Sequence, residues 1–183
     1  MMDTAKTFQN LNRCAQLFER VSKACPGDWL PIYYNSLTLA KMTHLHLKKN
    51  DSSFLIDLGK AEKLARTADS LNPRNSENKL LMAYVFLLKI RLEGIDKKNY
   101  NEMSFKKLMT EAVSLNENNP RCYLVKGEYF LIDTLQFPSN KKNSLSEFES
   151  ALKKYELFNP EKELFPNWGK KYVAEQIEFL SKH

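Results

Sequence analysis

A small residue followed three positions later by a large one recurs four times along this chain, as Ser36/Leu39, Ala83/Phe86, Gly127/Phe130 and Gly169/Tyr172. The small positions stand 47, 44 and 42 residues apart. A second register runs between them. Cys14, Phe18, Val21 and Pro26 repeat as Ala61, Ala65, Ala68 and Pro73, then as Phe105, Met109 and Ala112, and last as Phe148, Leu152, Tyr155 and Pro160. Repetition at this period means like units, each too small to bury a hydrophobic face alone. Each position has a physical reason. A small residue lets two helices approach closely, and the large one a turn later fills the gap beside the contact. Proline cannot continue a helix and closes a tight turn into the next.

The units are helical. Breaks fall at KACPGDW (23–29), SLNPRNS (70–76), SLNENNPR (114–121) and ELFNPEKE (156–163), each flanked by apolar residues at helical spacing. Leu80, Tyr84, Leu87 and Leu88 share one side of a helix, with Ala83 and Phe86 on the adjacent side, so that helix packs in more than one direction. No stretch keeps up strand alternation. Asp28 reads as a cap before Trp29, with Pro31 in the first turn, and Asn119 as a cap before Pro120. Ser144 and Glu147 have capping-box spacing, and Gly94 reads as a helix stop. The reading is an all-α chain, one domain over 1–183. Its eight helices fall near 4–25, 29–48, 53–71, 76–93, 102–116, 120–136, 145–158 and 166–181.

This register resembles the tetratricopeptide repeat. In AEKLARTADSLNP, Ala61, Ala65, Ala68 and Pro73 fall at that family's alanine, aromatic-or-alanine, alanine and proline positions. In YLVKGEYF, Tyr123, Gly127 and Phe130 fall at its aromatic, glycine and aromatic. The resemblance covers nearly the whole chain and implies an α-solenoid of three to four antiparallel hairpins. The family repeats at about 34 residues, so each unit here is longer. The surplus lies on one edge, where KKNDSS, GIDKKNYN and PSNKKNS are expected as loops. The closing FNPEKELFPNWGKKYVAEQ is similar to the end of small tetratricopeptide-like proteins of Gram-negative bacteria. FPNWGKKYV is expected to be the last repeat's packing corner, with Gly169 as the fourth small residue.

The same resemblance places a concave surface on four positions of each first helix. Here those are Leu30, Tyr33, Leu37 and Ala40, then Glu77, Leu80, Tyr84 and Leu87, then Arg121, Leu124, Glu128 and Leu131. The family's basic and asparagine clamp for a peptide carboxylate is missing, since Tyr33, Leu80, Leu124, Leu37 and Tyr84 occupy its places. Tyr33, Leu37, Leu80, Tyr84, Leu87, Leu124, Glu128 and Leu131 are therefore expected to form an apolar, tyrosine-bearing groove for a peptide, a partner helix or a second copy. On this reading Tyr84→Ala weakens binding and leaves the fold intact. The competing reading makes the same residues core.

Nothing points to catalysis, a cofactor or a metal. His44 and His46 stand two apart and face different sides of a helix. There is no clustered cysteine or histidine ligand spacing, no phosphate-cradling glycine loop and no nucleophile motif. The net charge of +6 is scattered as Lys-Lys pairs, whereas a nucleic-acid binder concentrates charge on one element. A basic repeat binding nucleic acid is the alternative, and an enzyme with a dispersed site a third. The longest apolar run, Leu80–Leu88, is too short to span a bilayer. MMDTAKTF carries no signal-peptide pattern, which reads as cytoplasmic, whereas a leader already removed would make the protein periplasmic or exported. Cys14 and Cys25 on one helix stand about 16 Å apart, too far for a disulfide. The three cysteines are read as reduced and buried, with a Cys25–Cys122 bridge left open.

Overall fold

The structure, a computed structural model, describes residues 7–47, 54–92, 95–132 and 139–182, without the side chains of 46–47, 54 and 95–99. Among the described residues there are eight α-helices and no strand. They are α1 (Phe8–Ala24), α2 (Trp29–Leu47), α3 (Phe54–Leu71), α4 (Ser76–Leu92), α5 (Ile95–Leu115), α6 (Pro120–Phe130), α7 (Ser139–Leu157) and α8 (Lys170–Lys182). The chain divides into two compact units, Met1–Leu115 and Asn116–His183. In the first, α2 pairs with α3 and α4 with α5, α1 lies on α2, and α4 also meets α2 and α3. In the second, α6 pairs with α7, and α8 packs on α7.

Side-chain caps start several of the helices. Asp28 Oδ1 accepts from the Leu30 amide at 3.0 Å, and Asn119 Oδ1 from the Arg121 amide at 3.1 Å, with Pro120 opening α6. Both match the sequence reading. Asn75 adds a cap that the sequence reading passed over, accepting from the Glu77 amide at 2.8 Å. Each satisfies a donor that a helix start otherwise leaves without a partner.

A buried serine hydroxyl joins each of the three helix pairs. Ser36 Oγ donates to the Ala61 carbonyl at 2.7 Å (α2 to α3). Ser76 Oγ donates to the Ala112 carbonyl at 2.9 Å (α4 to α5), and Ser144 Oγ to the Gly127 carbonyl at 2.9 Å (α7 to α6). Serine is small enough for two helix backbones to come close, and its hydroxyl, once out of water, needs this acceptor. Ala61, Ala65, Ala68, Ala112 and Phe148 are wholly buried and Phe18 and Leu152 half-buried, so most of the repeated register faces inward. Val21 departs from it and is exposed, because α1 packs chiefly on α2.

Several expectations are corrected. α5 starts at Ile95 and α7 at Ser139, so residues 95–101 and 139–144, expected as loops, are helix. Lysine and asparagine there carry no apolar period, yet lysine favours helix. Ser144 is accordingly no cap but an interior, buried residue. α6 ends at Phe130, where the Leu131 amide bonds back to the Gly127 carbonyl and the Ile132 amide to the Tyr129 carbonyl. Cys25 follows the end of α1 and is exposed, while Cys14 and Cys122 are buried, and no disulfide joins the three. Gly94 and the stretch 48–53 lie outside the described residues.

The corner at 165–169 packs inward, but not as a fourth copy of the small position. α8 starts only at Lys170, because the residue just before it, Gly169, lies outside the helical backbone region. Gly169 has φ 105°, in the left-handed region where glycine alone is unstrained. A methyl there would meet the Tyr155 hydroxyl and stand 2.6 Å from Leu124 Cδ1. Tyr155 Oη donates to the Trp168 carbonyl at 2.7 Å, and Trp168 is buried.

Candidate binding surface

In the first unit, α2 and α4 meet, and Tyr33 Oη donates to Glu77 Oε2 at 3.0 Å between them. The expected groove residues of this unit lie along that contact, but inside it. Tyr33, Leu37, Leu80 and Leu87 are 0% exposed and Tyr84 9%. The reason is the position of α4, which has α2, α3 and α5 around it. Its residues from Leu80 to Leu88 are all buried. As described, this row packs helices together and offers no open surface.

In the second unit Leu124 and Glu128 are buried, and Leu131 is half-buried just past the end of α6. Leu124 points at the Gly169 corner. Arg121 is buried, with its guanidinium 4.6 Å from the centre of the Phe158 ring.

Besides scattered exposed apolar side chains such as Ile56, Tyr100 and Met103, the first unit carries a partly accessible aromatic ledge. The Phe18 and Tyr34 rings stack at 5.1 Å, inclined by 14°. Tyr34 meets Tyr33 edge-on at 5.4 Å, and Tyr33 meets Trp29 edge-on at 5.8 Å. Phe18, Trp29 and Tyr34 are half-buried, with Tyr33 beneath them. The groove spacing selected Tyr33 alone, so Tyr34, one residue on, and Phe18, counted as core register, were missed. The available signal was three aromatics within WLPIYY.

Several cations are held locally. Glu62 takes Lys89 and Arg66, each at 2.7 Å, and both cations lie over the Phe86 ring, at 5.2 and 5.9 Å. Partial burial raises the Glu62 pKa, but hydrogen bonds from Lys89 and Arg66 outweigh it and hold the carboxyl below its ordinary value. Lys79 bonds Asp69 at 2.8 Å and stands 3.7 Å from Glu111. In the second unit, burial pushes the Glu147 pKa up against the opposing charge of Lys126. His44 Nδ1 lies 3.3 Å from an Arg91 nitrogen. Among the described residues no group of three or more potential ligands is placed to hold a metal ion, and no helix is long and apolar enough to cross a membrane.

These features define an all-α protein of paired helices joined by buried serine bonds. No family model and no curated protein matches the chain. Its fold is similar to a solved structure, the HusA haemophore from Porphyromonas gingivalis, with a TM-score of 0.69 and 17% identity over 98% of this chain and 95% of that one. At that identity the likeness is one of fold.

Proposed function

We propose that this chain is a non-catalytic binding protein of the tetratricopeptide-like class, a single repeat domain over 1–183, that takes a peptide or partner helix. The ledge of Phe18, Trp29 and Tyr34 is where the partner first makes contact. The observation that carries this reading is the ring-to-ring chain of the ledge, with half-buried Trp29 and Tyr34 seated on buried Tyr33 and half-buried Phe18 stacked on Tyr34. Such rings present flat apolar faces at little entropic cost, and Trp29 and Tyr34 add polar tips, the composition of recognition surfaces. Tyr33, Leu37, Leu80, Tyr84 and Leu87 form the packed floor behind the ledge. They reach a partner only if the helices above them open. Leu124, Glu128 and Leu131 hold the same register positions in the second unit and belong to the same reading. The similarity to a haemophore adds haem, a flat ligand with apolar faces, as the first small molecule to test.

The test is titration calorimetry with haemin and with a library of helical and extended peptides, on the parent chain and on Trp29→Ala and Tyr34→Ala. A ligand that loses tenfold or more in affinity to either variant, at an unchanged melting temperature, supports the ledge. Ligands bound equally by all three chains would remove it.

A further inference from the structure

We draw no further inference here: the strongest candidate, the exposed apolar edge of α1 at Leu17 and Val21, carries nothing, because nothing in the structure shows what covers it.

Discussion

The Gly127 carbonyl accepts the Ser144 hydroxyl at 2.9 Å, so α6 and α7 meet at a residue with no side chain of its own. A methyl on Gly127 would fall 2.8–2.9 Å from three carbons of the Phe148 ring, and Phe148 is itself wholly buried. The ring is a rigid wall at this point, not the loose end of a flexible chain. Gly127→Ala is therefore expected to destabilise despite alanine's advantage of about 1 kcal/mol within a helix. Overpacking of this kind costs about 1–3 kcal/mol. Urea unfolding measures the net loss, and Phe148→Leu added to Gly127→Ala should recover part of it. If the single variant is more stable than the parent, the close crossing is misread.

At Gly169 the expected penalty has two sources. Alanine there meets both a left-handed backbone and the occupied space around Leu124. Gly169→Ala should cost at least about 2 kcal/mol, and Tyr155→Phe about 1 kcal/mol for its lost bond to the Trp168 carbonyl. Thermal unfolding ranks the two. Equal melting points for parent and Gly169→Ala would contradict this account of the corner.

Tyr84→Ala tests the groove directly. The side chain is 9% exposed within the most enclosed helix of the first unit. Removing a buried aromatic costs about 3–5 kcal/mol, so the variant should be strongly destabilised, contrary to the outcome expected for a groove lining. A chain that unfolds in urea like the parent would restore the open groove.

Glu62 and Glu147 should move stability with pH in opposite senses. The Glu62 carboxyl sits below its ordinary value of 4.5. Its contribution is full above that value and is lost as pH falls through the lower folded-state pKa. Glu62→Gln should therefore destabilise at pH 7 and narrow the gap to the parent in acid.

For Glu147 the folded-state value is raised above 4.5, so folding favours its protonated form. Stability from this group is present below the ordinary value and declines as pH rises through the folded-state one. Glu147→Gln should leave stability at pH 7 equal or higher, and should flatten the decline just above pH 4.5. Chemical unfolding across pH 3–8 reads both variants. A Glu147→Gln chain weaker than the parent at pH 7 and equal to it at pH 4 would reverse the assigned sign.

Much of the architecture was legible because the informative residues act locally. Asp28 and Asn119 cap the helices that follow them, and the alanines of α3 are small because they are buried. The starts of α5 and α7 were not legible, since 95–101 and 139–144 hold no apolar period and lysine propensity alone gives a weak signal. Gly169 was found for the wrong reason. Its spacing matched Gly127, yet its backbone angle, which spacing does not encode, is what requires glycine. The burial of the groove row had a visible signal in LLMAYVFLL, which is apolar all round. The ledge depends on Phe18 of α1 meeting Tyr34 of α2, a pairing between elements that no repeat period reports.

The left-handed turn at Gly169 limits how far kindred chains can drift. Buried neighbours such as Pro166 and Trp168 contribute volume and shape, which residue type alone does not fix. At 169 the backbone accepts one spelling. Any chain that builds this same corner is expected to keep glycine at its tip.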